Sequence, residues 1–150
     1  MNRLIMACGA GLLTSFAFAQ TPATAPAAAP AAMAPAAGAN VYIISPKDGA
    51  KVHGPVTVLF GLKGMGIAPA GIKFDNTGHH HLLVDMDVPS DLTVPMPATD
   101  KLLHFGKGQT QASLPLQPGK HTLQLVFADL NHVAFNPPLI SKKVTITVVN

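Results

Sequence analysis

Three consecutive histidines, His79, His80 and His81, follow Gly78 and hold the densest chemistry in this sequence. Seven histidines occur in all, the others being His53, His104, His121 and His132. Histidine changes protonation near neutral pH and is the commonest metal ligand. On a β-strand successive side chains alternate faces, so His79 and His81 share one face and His80 takes the other. Two imidazoles at i, i+2 can close on one ion, and this spacing suits zinc or copper. Third and fourth ligands are expected from His104 and His132, with Asp85 as a carboxylate that orients one ring. The candidate metal set is therefore His79, His81, His104 and His132. Two other readings compete: a hydrogen-bonded polar cluster, and a pH-responsive or partner-binding surface.

These residues need strands to position them, and the sequence supplies strand periodicity. Val56, Val58 and Phe60 alternate with their neighbours, as do His121, Leu123, Leu125 and Phe127, and Val144, Ile146 and Val148. All three runs match period 2 with β-branched enrichment. Weaker strands fit Val41–Ser45, His80–Met86, Leu102–Phe105 and Gln109–Leu116. Turns are expected at Pro46-Lys47-Asp48-Gly49 and Gln117-Pro118-Gly119-Lys120. Gly64 to Gly71 reads as a long irregular crossing, and Val88 to Thr99, with three prolines, as a loop. About seven short strands separated by turns predict an all-β fold, an immunoglobulin-like antiparallel β-sandwich. The expected core is Val56, Val58, Phe60, Leu82, Val84, Leu123, Leu125, Phe127, Val144, Ile146 and Val148. Each such side chain contributes roughly 1.5–3 kcal/mol on burial.

Counting by two from Leu82 and Leu123 places His80 and His121 on the core side at the starts of their strands. Each is expected to donate one ring proton to a backbone carbonyl and stay neutral. His79 and His81 fall on an outer, exposed face with Leu83 and Asp85. Met65, Met86 and Met96 are the methionines of the folded region, and thioethers favour Cu(I). Lone methionines are more often packing residues. Met65, between two glycines, is expected on an exposed loop where packing has little use for it.

Composition narrows the class. Residues 1–19 read as a secretory signal peptide, with Arg3, an apolar run from Leu4 to Phe18 too short for a membrane span, and an Ala17-Phe18-Ala19 cleavage signature. Residues 20–39 hold eleven alanines and four prolines and read as a disordered or semi-extended linker. The remaining domain, residues 40–150, holds no cysteine, because Cys8 lies in the signal. Disulfides and thiolate ligands are thereby excluded from it, and lipidation at Cys8 is not expected. Without Arg3, nine lysines face seven acids, with no basic cluster, which argues against nucleic acid. No second long apolar run follows, so no transmembrane segment is expected in the mature chain. Nucleophile-elbow, phosphate-loop and H-E-x-x-H patterns are absent, and no glutamate is present.

Several segments carry a resemblance. Ser45-Pro46-Lys47-Asp48-Gly49, Phe60 to Gly71, Thr77 to Asp85, His104 to Thr110, Pro118 to Leu125 and Asp129 to Pro138 are similar to the DUF4399 family of bacterial exported domains, whose function is uncharacterised. The resemblance spans nearly all of residues 40–150 and implies an exported all-β domain. It brings no catalytic residues. The family pattern carries a further histidine before the Pro-Pro pair, where this chain has Phe135.

The expectation is therefore a non-enzymatic binding domain, periplasmic or secreted, holding copper or zinc through the histidine cluster. The alternative is an envelope accessory domain whose histidines are structural and whose Gly61–Gly71 loop meets a peptide, a glycan or a protein partner.

Overall fold

The computed structural model describes residues 32–150. The expected signal peptide with Cys8, and residues 20–31 of the expected linker, lie outside the described residues. The last linker residues lie against the domain: the Met33 carbonyl accepts a hydrogen bond from the Asn136 N–H at 2.8 Å.

Ten strands are present among the described residues: β1 (Asn40–Ser45), β2 (Lys51–His53), β3 (Val56–Lys63), β4 (Gly66–Ile67), β5 (Thr77–Val84), β6 (Leu102–His104), β7 (Gln111–Leu114), β8 (Gly119–Ala128), β9 (Ala134–Ile140) and β10 (Val144–Val149). They form two sheets, one ordered β1-β3-β7 and a larger one ordered β2-β10-β8-β5-β4, with β6 on β5 and β9 on β8. Among the described residues no helix is long and apolar enough to cross a membrane. The fold is all-β, as the alternation predicts, with three strands beyond the seven expected. β2 and β4 are too short to show a period. β9 holds Pro137 and Pro138, which read as a strand break. It is accommodated because a register shift separates its paired ends, Ala134 and Leu139–Ile140, and leaves the prolines off the ladder.

The alternating faces of β3, β8 and β10 meet β1 and β5 in one apolar cluster. All eleven expected core residues belong to it, joined by Val41, Ile43, Leu114, Phe135 and Leu139. A second apolar cluster covers the opposite face of the large sheet: Leu83, Met96, Leu102, Val126, Ala128 and Ala134, with Met86, Val88 and Leu92 packed on it. The proline-rich stretch between β5 and β6 thus folds back over the sheet.

This second layer overturns the expectation that His79 and His81 lie on an exposed face. Both are 0% exposed. The continuous apolar runs Leu82-Leu83-Val84 and Val126-Phe127-Ala128 have the composition of strands buried on both faces. β5 is flanked on one edge by β8 from His79 to Val84. On the other edge it pairs β4 at Thr77–Gly78 and β6 at His81–Leu83. It is a central strand, and its histidines are interior residues.

Candidate metal centre

The sheet register brings three of the four candidate ligands together directly. His79 and His81 alternate onto one face of β5, and His81 sits opposite His104 of β6. Across β8 their partners are Ala128 and Val126, small enough to leave room for the rings. One nitrogen from each of His79, His81 and His104 lies within 4.8 Å of the others, so this group could hold a metal ion. His79 Nε2 and His81 Nε2 are 3.2 Å apart. Two nitrogens bound to one tetrahedral ion at about 2.0–2.1 Å would be about 3.3 Å apart.

His132 arrives from the β8–β9 turn. Its ring centroid lies 5.1 Å from that of His79, 4.7 Å from His104 and 6.1 Å from His81. The other three ring separations are 5.0, 4.9 and 5.1 Å. Four imidazoles around a single tetrahedral ion would place their centroids about 5 Å apart. His79, His81 and His104 bring their nitrogens together, and the His132 ring flanks them without joining that group.

Two residues that the sequence reasoning passed over shape this arrangement. Gly106 lets the His104 ring fold back: a Cβ there would lie 2.2 Å from His104 Cε1 and 2.3 Å from Nε2. Asp129 builds the turn that carries His132. Its N–H donates to Val133 O at 2.9 Å, its carbonyl accepts from His132 N at 3.0 Å, and its Oδ1 accepts from Asn131 N at 2.8 Å and Val133 N at 3.0 Å. His132 adopts φ 67° within it, a left-handed conformation that costs about 1–2 kcal/mol and persists because those bonds over-determine it. The Asp-x-Asn-His run is the sequence signal for such a turn. A third segment ties the two arms: Ala70 N–H donates to Gly106 O at 2.8 Å and Gly71 N–H to Leu130 O at 3.0 Å.

The electrostatics favour neutral rings. Burial, then the charges of His104, His132 and His80, lowers the His79 pKa from 6.5 to about 4. Burial, then His79 and the other histidines, lowers His81 to about 3. Burial, then His132, lowers His104. Neutral imidazole is the form that binds metal. His79 Nδ1, His81 Nδ1 and His104 Nε2 are buried without a protein hydrogen-bond partner, at a cost of about 1–3 kcal/mol each. The expected orienting role of Asp85 is not found. Asp85 lies just beyond the end of β5, and it holds the ring of His121 instead, Oδ2 to Nδ1 at 2.7 Å.

The remaining histidines separate cleanly. His80 points into the main core as expected, but it packs between Phe60 and Phe127 at centroid distances of 5.1 and 5.2 Å. Neither of its nitrogens forms a hydrogen bond. Burial lowers its pKa to about 4, and the nearby Gln109 backbone, short of hydrogen-bond geometry, opposes this only weakly. His121 does meet a carbonyl, Gln117 O at 2.8 Å, yet it is not held neutral. Burial opposes its charge, but bonds to Asp85 and Gln117 outweigh that and raise its pKa. His53 is exposed on β2. Met65 is half-buried against the main core rather than free on a loop, and Met96 and Met86 pack in the second cluster.

Neither a curated protein nor a solved structure matches this chain. A family model does match, over residues 58–149, and that span contains all four clustered histidines together with Gly106 and Asp129. The chain belongs to the family described as "Domain of unknown function (DUF4399)".

Proposed function

We propose that this domain is a non-enzymatic module, periplasmic or secreted, that holds one copper or zinc ion through His79, His81, His104 and His132. The observation that carries the reading is the convergence of His79, His81 and His104 within 4.8 Å while the first two are fully buried. His104 Nε2 is buried without a hydrogen-bond partner, which is costly, and an ion would give it one. The ligands come from β5, β6 and the β8–β9 turn, so they assemble only in the folded chain. Binding would therefore stabilise the fold.

The test is calorimetric titration of the tag-free domain with Cu(II), Cu(I) and Zn(II) beside a His79→Ala/His81→Ala variant. Submicromolar binding of one ion by the wild type and its loss in the variant supports the reading. Equal binding by both refutes it.

One observation favours a second reading, an envelope interaction domain. Ile72 and Phe74 are 54% and 71% exposed on the segment between β4 and β5. Gly61, by contrast, belongs to β3, where the Tyr42 ring occupies the place of its missing side chain, so the surface in question starts beyond Gly64. Ile72→Ser/Phe74→Ser should abolish capture of an envelope protein, peptide or glycan if that reading holds.

A further inference from the structure

Resting on the metal-holding reading, the charge balance of the site points to its ion: we infer that the centre is built for a monovalent cation, Cu(I), rather than a divalent one. The converging donors are all imidazoles, and among the described residues no carboxylate joins them. A complex with these ligands keeps the whole charge of its ion.

That charge must be carried in an apolar place. His79 and His81 are 0% exposed, and the residues opposite and beside them on the same face are Ala128, Val126, Leu83, Leu102 and Met96. The cost of burying a charge in a poorly polarisable medium rises with the square of the charge. A dication in a neutral cage is therefore about four times as costly to surround as a monocation of similar size.

Asp129 sets the balance. It is the only buried acid among the described residues, 1% exposed. Among the described residues the ion pairs are His121–Asp85 and Lys143–Asp87, so Asp129 has no cationic partner. Its Oδ1 accepts two backbone N–H bonds, and its Oδ2 is buried without any. It follows Ala128, the cross-strand partner of His79, and its turn carries His132. One formal negative charge on the turn that carries His132 matches one positive charge and leaves a dication uncompensated. Copper(I) is the monocation among the metals that imidazole suits.

The test is metal competition under anaerobic conditions on the tag-free domain, reading bound metal after gel filtration. Cu(I)-loaded protein should keep its copper against a tenfold excess of Zn(II), and one equivalent of Cu(I) should empty the Zn(II)-loaded protein. Retention of Zn(II) against Cu(I), or displacement of Cu(I) by Zn(II), overturns the inference and leaves metal binding intact. Binding of neither ion above the His79→Ala/His81→Ala level overturns the metal-holding reading itself. Asp129→Asn keeps the Oδ1 acceptor and removes the charge. It should weaken Zn(II) at least tenfold more than Cu(I), and an unchanged Cu(I)-to-Zn(II) ratio overturns the role given to Asp129.

Discussion

Gly106→Ala separates ligand geometry from fold stability. The new methyl would sit 2.2 Å from His104 Cε1 and 2.3 Å from its Nε2. Ordinary carbon contacts need about 3.5 Å, so the ring must move by more than about 1 Å. Metal–nitrogen bonds tolerate only about 0.2 Å. His104 is half-buried, and its Nε2 has no hydrogen bond to lose when the ring turns, so the fold has little to lose. The third neighbour, Ala70 Cβ at 3.2 Å, needs to yield only a few tenths of an ångström. We expect the metal-free melting free energy to change by less than about 1 kcal/mol. Metal affinity should fall at least 10–100-fold, the range seen when only an outer contact of a ligand is lost, or about 1.4–2.8 kcal/mol. Calorimetric titration measures the second quantity and denaturant unfolding of the metal-free domain the first. Wild-type affinity in this variant would remove His104 from the ligand set, whereas a metal-free loss of several kcal/mol would show that its ring is locked for structural reasons.

Acid should destabilise the metal-free domain. His79, His80 and His81 have folded pKa values of about 4, about 4 and about 3, below the ordinary 6.5. The unfolded chain then binds more protons, so their stabilising contribution is complete above pH 6.5 and is lost as pH falls toward 4, at up to about 1.4 kcal/mol per pH unit per ring; a flat unfolding midpoint between pH 6.5 and 4.5 would contradict this. Metal affinity should fall steeply as pH approaches 4, where His79 and His81 take up protons in the metal-free domain, as a pH series of titrations would show. His121 runs the opposite way. Its raised pKa contributes stability that is present below 6.5 and lost as pH rises through the folded value, and His121→Leu should abolish that alkaline decline in urea unfolding curves. Asp85→Ala removes the acceptor for both Thr122 N–H and His121. It should cost about 1 kcal/mol after allowance for solvent exposure, without changing metal affinity.

Much of the fold was legible because three strands obey a strict period and turn one face to the main apolar cluster. The depth of the site was not. Period 2 assigns His79 and His81 to the face opposite Leu82, but it says nothing about whether that face is covered. The cover is the stretch bearing Met86, Val88, Leu92 and Met96, whose prolines made it look like a solvent loop. The unbroken run Leu82-Leu83-Val84 was the available clue. His104 and His132 were named from residue type alone, since their approach depends on register and on the Asp129 turn. Asp85 holds the ring of His121 rather than one of the cluster, because beyond the end of β5 it meets β8 at Thr122. Gly106 leaves no periodic mark, since what it accommodates is the folded-back ring of a residue two positions earlier.

Anomalous diffraction from crystals of the metal-loaded domain, collected at the absorption edge of the bound element, locates the ion without reference to any variant. A single peak about 2.0–2.1 Å from nitrogens of His79, His81 and His104 is the predicted outcome. A loaded crystal whose anomalous peaks lie only at His53 or elsewhere on the surface, with His79 Nε2 and His81 Nε2 still hydrogen-bonded to each other, would show that the cluster is a structural element and no metal site.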